Sequence, residues 1–557
     1  MESIAWGLLV IAIALWLGAF GRHTIDRVAL GLSHPTFQMD NEEGALLYQS
    51  LLLKRGATPY RPITDYPYVV GTYPPLYLAL AAPLTSAVDP TLYGGRMVSA
   101  VALFVCLAAL AGIVAAIARS FAGALLAPAL FLATFEVYSW APYFRVDCLA
   151  LALSLLGLLS AIASATRPRL HVFTAILFAL AFFTKQTAVA APLAFFVTLT
   201  LRSPRRVIRP LSLYLAAVAL PFILFTLLTR GQFFVHTVVY NANRMNWPDL
   251  IVWLRHLERF YLMLGAAAVV SLAVIFQWRT GRLRVSAASS DGGSSPAPLH
   301  AEPALTGEPA PHEPSDGSTV PEASAPPPAQ SHDNVILLIC YVIISLANVL
   351  ALAKAGSAEN YLLELLAAIA ILVGCATGVA LSRAGGADSS PDPFLRRLLP
   401  LVVLAHAIWV TDKAPLMFSP ARNPSPEDFR NAALVTQHLR SARPPVISEL
   451  ACYTLFAGRD VVFQPFIMSE LARQGRWNAS KFIADLRAGR FGVIAATVDL
   501  AAPVYTDAFT DAMRAAIRET YECRVRYKNG RLWDHYLFYP RSAITAPRDS
   551  RGPRAHE

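Results

Sequence analysis

MVSAVALFVCLAALAGIVAAIARSFAGALLAPALFLATFEVY, residues 97–138, is two apolar runs joined by one basic turn. Its only charged residues are Arg119 and Glu136. The first run, 97–118, has the roughly 20 residues that an α-helix needs to cross a hydrocarbon core. The second, 121–138, follows after Arg119 and Ser120 alone. Backbone polar groups find no water inside a bilayer, so each run must close its own hydrogen bonds as helix. The stretch reads as a hairpin of two membrane helices.

The same reading extends along the chain. Apolar runs recur at 4–20, 147–165, 170–184, 187–201, 211–228, 260–277, 335–353, 361–381 and 398–411, which makes eleven spans with the first pair. Lys185 and Gln186 interrupt 170–201 and mark a re-entry turn between two helices. The first run has no basic lead-in and no small-residue cleavage site, so it reads as a retained helix rather than a removed signal. Only 15% of the 557 residues are charged and the hydrophobic fraction is 55%. A soluble chain carries about a quarter charged residues. The formal charge of +10 does not call for a nucleic acid, because the basic residues sit in short turns and no docking motif accompanies them.

Those turns set the expected orientation. Arg119, Arg167 and Arg169, then Arg202, Arg205, Arg206 and Arg209, then Arg279, Arg282 and Arg284, and last Arg383, Arg396 and Arg397 occupy alternate turns. Basic turns face the cytoplasm, which places the N-terminus inside and the C-terminus outside, in a cell (inner) membrane. The loops 21–96 and 229–259 then lie outside. Residues 286–334, rich in Ser, Pro, Ala and Gly, cannot bury enough apolar area to order themselves and read as a disordered cytoplasmic loop. After about 412 the pattern changes. PPVISELACYTLFAGRDVVFQP (444–465), FGVIAATVDL (491–500) and DAFTDAMRAAIRETY (507–521) mix short strands with amphipathic helix. The expected fold is a mainly α-helical polytopic membrane protein over 1–411, with about eleven transmembrane helices, and a small extracytoplasmic α/β domain over 412–557.

Of the six cysteines, Cys106, Cys148, Cys340 and Cys375 lie in apolar runs and act as small hydrophobes. Cys452 and Cys523 are the two in the C-terminal domain. In an oxidising compartment they are candidates for a disulfide, with two separate buried thiols as the alternative. No spacing of Cys and His suggests zinc.

The outer loop 21–96 is the richest in chemistry. Asp40, Glu42 and Glu43 cluster just after the first helix. They cap a helix, bind a metal or accept a proton. The run 44–53 is amphipathic and suits the bilayer surface. Tyr73-Pro74-Pro75-Leu76 reads as a rigid turn opening another helix. Four cations fall on the same outer side: Arg96 before the second span, Arg145 with Asp147 at the start of the fourth, Lys185 in the re-entry turn and Lys354 after the ninth. Ionisable residues bordering spans are costly to keep. They either gather on an anionic phosphate, or Arg145 pairs with Asp147 while Lys185 snorkels outward.

Several pieces in order now resemble a known superfamily. They are DNEEG (40–44), LLLKRGATPYRP (51–62), YPPLYLALAAP (73–83), GRMVSA (95–100), FRVDCLALAL (144–153), ALAFFTKQTAVAAP (179–192) and KAGSAENYLLE (354–364). Together they resemble the C-type, multi-spanning glycosyltransferases, in the protein mannosyltransferase and aminoarabinose transferase-like branch, over roughly 1–380. The resemblance implies transfer of a sugar from a polyprenyl-phosphate donor to a hydroxyl on a glycan, lipid or protein acceptor, among membrane lipids. It implies an acidic residue of the outer loop as catalytic base or its support: Asp40 by preference, or Glu42, with Glu43 beside them. Lys185 matches the lysine on the donor phosphate, with Arg145, Arg96 and Lys354 as further candidates. A divalent metal is compatible with it. The alternative is a transporter or flippase of a lipid-linked or anionic substrate, a class that often shows internal repeats. None is evident here.

Overall fold

The computed structural model describes residues 2–255, 261–279, 328–382 and 393–541. A helix stands at each of the eleven expected spans: Glu2–Ser33, Tyr93–Ala118, Phe121–Leu132, Asp147–Ser164, Leu170–Thr184, Ala190–Arg202, Pro204–Leu228, Tyr261–Arg279, Pro328–Asn348, Leu363–Ser382 and Pro393–Met417. Among the described residues, five segments are long and apolar enough to cross a membrane singly. These are Tyr93–Ala118, Asp147–Ser164, Pro204–Leu228, Asp333–Ala353 and Glu359–Val379. The chain is an integral, multi-pass membrane protein.

Local chemistry sets the breaks. Arg119 ends the helix Tyr93–Ala118 in a left-handed conformation, φ 51°, and Ser120 caps the next helix by accepting from Gly123 N at 3.3 Å. The predicted span 121–138 breaks after Leu132, and a short helix, Phe135–Trp140, completes it. The interruption at Lys185 is real: the helix stops at Thr184 and Lys185 is extended. Small residues let helices approach closely. A Cβ on Gly123 would meet the carbonyl oxygen of Gly374 at 2.6 Å, so the helices Phe121–Leu132 and Leu363–Ser382 touch backbone to backbone. Most of the expected loop 286–334 lies outside the described residues; its last part, from Pro328, belongs to a helix.

The C-terminal region is α/β. Strands β1 (Ile447–Ser448), β2 (Ile494–Ala496), β3 (Tyr521–Tyr527) and β4 (His535–Pro540) form one sheet in the order β1-β2-β4-β3. β1 and β2 run parallel, with Ile447 opposite Ile494, and the remaining pairs are antiparallel. The last apolar helix runs to Met417, past the expected boundary at 412. The next, Pro426–Ser441, begins with a capping box between Ser425 and Asp428. Asp428 also accepts from Arg531 N at 2.9 Å and Leu532 N at 3.0 Å.

This region is not a separate lobe. One buried cluster joins Leu366, Phe131 and Leu155 of the membrane helices to Val435, Val493 and Leu537 of the sheet region. A second joins Ile63, Tyr68 and Val70 of the 21–96 loop to Phe463, Phe482 and Ile517. The loop adds a short parallel bridge, Tyr68 N to Val462 O at 2.9 Å and Gln464 N to Tyr68 O at 2.9 Å. The amphipathic run expected on the bilayer surface is instead the helix Glu43–Lys54, buried from Glu43 to Leu52. It packs under the helix Ala451–Phe456, because its apolar side finds protein to cover it before it finds lipid.

Of the two alternatives for Cys452 and Cys523, the structure has two separate free thiols. Cys452 is buried against Leu46 and Leu47 of the helix Glu43–Lys54. Cys523 lies on β3 and packs with the second cluster. The two side chains belong to different cores.

Candidate functional site

Two charged clusters grow from the acidic motif. The first is a closed knot. Arg96 donates from Nε to Glu43 Oε1 and from Nη2 to Glu43 Oε2, both at 2.8 Å. Its other bonds go to the carbonyls of Gly31 at 2.6 Å, His34 at 3.2 Å and Phe37 at 2.7 Å. A guanidinium has five donors, and all five are used. Glu43 also accepts from Met39 N at 2.7 Å and Phe144 N at 2.9 Å. The side chains are 1% and 0% exposed. The structure therefore brings neither Arg96 nor Glu43 to an open surface. They tie the first helix, the acidic loop and the start of the fourth span together.

The second cluster lines a pocket. Its walls include Glu42, Tyr73, Arg145, Lys185, Asn241 and Lys354. Arg145 is shared between Asp40 at 3.1 Å and Asp147 at 3.5 Å. Asp147 holds Lys185 at 2.7 Å and accepts from Asn360 Nδ2 at 2.8 Å. Lys185 also stands 4.3 Å from the centre of the Tyr361 ring. It does not reach outward along the lipid; it turns inward to a carboxylate.

Lys354 differs from these. Its Nζ donates to Asn241 Oδ1 at 2.6 Å, a neutral amide, and no carboxylate pairs with it among the described residues. Burial pulls its pKa below the usual lysine value. Glu42 mirrors it. Its backbone N–H bonds Asp40 Oδ1 at 3.1 Å, but its carboxylate takes no hydrogen bond among the described residues and faces the pocket. Burial raises the pKa of both Glu42 and Asp40 above the usual carboxylate value, against the pull of Arg145.

The pocket floor is pinned by amides. Gln186 and Asn241 both donate to the carbonyl of Thr72, at 3.0 and 3.1 Å. His236 accepts from Gly71 N at 2.9 Å and donates to Arg61 O at 2.7 Å. Burial pushes His236 down to about 4, so it is neutral and holds the loop as a fixed tautomer. No group of three or more His, Cys, Asp or Glu side chains gathers as a metal site among the described residues.

No family model and no curated protein matches this sequence. Solved structures do. ArnT from Cupriavidus metallidurans in the apo state superposes with a TM-score of 0.53 at 13% identity, over 98% of this chain and 100% of that one. The same protein bound to undecaprenyl phosphate gives 0.51 at 12%, over 98% and 99%. The chain has the C-type glycosyltransferase fold. The C-type fold of this chain includes the C-terminal region, since the match covers nearly the whole length.

Sequence reasoning missed Asn241, Asn360 and Tyr361 as pocket residues, although ENYLLE (359–364) stood within a quoted motif. A sharper signal was present in YNANRMN (240–246), three asparagines in seven residues of the loop between two apolar helices.

Proposed function

We propose that this protein is an inverting glycosyltransferase that moves a sugar from a polyprenyl-phosphate donor to an acceptor hydroxyl at the outer face of the cell membrane. The observation that carries this reading is the opposition, in one pocket, of Glu42, whose carboxylate takes no hydrogen bond among the described residues, and Lys354, which has no carboxylate partner among them. The crystal structure of ArnT with undecaprenyl phosphate, on the same fold, supports a lipid phosphate as the donor's carrier.

The chemistry follows from the arrangement. Glu42 takes the proton of the acceptor hydroxyl, and the freed oxygen attacks the anomeric carbon from the side opposite the phosphate. The bond from that carbon to the phosphate oxygen breaks, and the lipid phosphate leaves with the electron pair. Lys354, with Arg145 and Lys185 behind it, meets the charge that develops there. Asp40 orients Arg145 and is the second candidate for the base. Glu43 and Arg96 support the loop and touch no substrate. The acceptor is a glycan, a lipid or a protein.

Purified protein incubated with radiolabelled polyprenyl-phosphate sugars and membrane acceptors tests the reading. Label transferred with inversion at the anomeric carbon supports it. Transbilayer movement of the lipid-linked sugar without any transfer would replace it with the transporter reading.

A further inference from the structure

The cap helix Pro465–Arg473 faces the pocket with one side. Phe466 and Ile467 form part of the pocket wall, and Glu470 follows Phe466 at the i,i+4 spacing that puts both on one helix face. Phe466 lies over the turn that follows Lys354. Gly356 there has φ +81°, and the Phe466 ring occupies the space a Cβ would need. No L side chain suits that position on either ground.

Glu470 grips a second segment. Arg244 donates to it from Nε at 2.8 Å, from Nη2 at 3.0 Å and from its backbone N–H at 3.3 Å. Gln474 adds a bond at 2.9 Å and Arg473 stands 3.9 Å away. The Glu470 side chain is 2% exposed while Arg244 is 54% exposed, so the carboxylate is the fixed end of the pair. The backbone around Arg244 in turn clips the lysine. Ala355 N donates to Arg244 O at 2.8 Å, Asn246 N to Ala353 O at 2.5 Å, and Asn243 Nδ2 to Ala355 O at 2.8 Å. Met245 and Lys354 form an antiparallel bridge. Asn241, which receives the Lys354 ammonium, lies three residues before Arg244.

We propose that Glu470, acting through Arg244 and the 241–246 segment, is a positioning residue that sets Lys354 for the donor phosphate; this rests on the donor assignment made above. The C-terminal domain thus shapes the phosphate end of the pocket rather than only covering it. A charged fork on a buried carboxylate has a defined geometry, and a contact displaced by a fraction of an ångström weakens a positioned cation.

The test is binding of tritiated undecaprenyl phosphate to the purified, full-length protein, with donor KM, kcat and thermal unfolding measured alongside. Glu470→Gln keeps the shape and removes the charge. It is expected to weaken binding and raise donor KM by roughly tenfold, as loss of an outer-shell support does elsewhere, with kcat at saturating donor within about twofold. Combining Glu470→Arg with Arg244→Glu should recover part of the loss. Lys481→Ala, which cuts the 2.7 Å contact of the same domain with Asp65, should leave donor binding unchanged. Should Glu470→Gln lose its fold, Arg244→Lys carries the test on the exposed partner, where it keeps the charge and drops the fork. Equal donor affinity in folded wild type and Glu470→Gln overturns this inference alone. Weakening by Lys481→Ala to the same degree overturns it too, as a general loosening. A wild type that binds no polyprenyl phosphate overturns the donor assignment and this inference together.

Discussion

Glu42 and Glu43 are neighbours in sequence and opposites in environment. Glu43 sits in a knot where every donor of Arg96 is spent and neither side chain meets solvent. Glu42 faces a pocket whose cations are shared or held by an amide. The same residue type is thus locked into the framework where its bonds are saturated and left facing a pocket where they are not.

The largest effect expected from that contrast is at Arg96. Arg96→Met leaves Glu43 buried without its charge partner, a loss of about 3–5 kcal/mol. Folded protein should be nearly absent from detergent extracts, as gel filtration would show. A well-folded variant would mean that the knot is not what holds the loop.

Glu42→Gln should leave folding and donor binding intact and lower the transfer rate by about 10²–10⁴-fold. The base must be ionised, so wild-type kcat/KM should fall as pH drops through a value above the ordinary carboxylate range, because burial raises Glu42. Asp40→Asn belongs in the same series, since Asp40 is raised too. A larger loss at Asp40 than at Glu42 would move the base by two residues and keep the reaction.

Lys354→Met should raise the donor concentration needed for half-maximal rate by about 10–100-fold, the worth of one charged hydrogen bond. Lys185→Met should do more harm to folding, because it strips Asp147 of a 2.7 Å partner. If Lys185→Met proves stable and shows the larger donor effect, the order of the two lysines is reversed. The smallest effect is expected at Cys523→Ser. Both C-terminal thiols are free, so peptide mass spectrometry should find them unbridged and the variant should unfold at the wild-type temperature within a degree or two.

The membrane helices were legible in the sequence because each closes its own hydrogen bonds within one apolar run. The acidic motif was legible as a region, but not which acid is tied in a knot and which faces the pocket. That choice depends on Arg96, which lies 53 positions from Glu43 and whose bonding no local pattern records. Lys185 stood out because a lysine interrupting an apolar run is conspicuous. Its partner Asp147 lies 38 positions away, so the pairing that makes it less free than Lys354 stayed hidden. Compartment left a bridge and two separate thiols equally open for Cys452 and Cys523, and only the packing of the two side chains into different cores distinguishes them.

The acidic loop carries a consequence for how the chain is made. Gln38, two residues before Asp40, accepts at its carbonyl from Trp533 Nε1 at 3.1 Å and at its side chain from Cys452 N at 3.0 Å. The first of these joins residues 495 positions apart. At about 5–20 residues per second, a ribosome needs roughly 25–100 s to travel that far. For that interval the loop is held by Arg96 but lacks its bond to Trp533. A chain released before Trp533 therefore lacks one of the bonds that hold the acidic loop, so the last stretch of synthesis finishes the loop's anchorage.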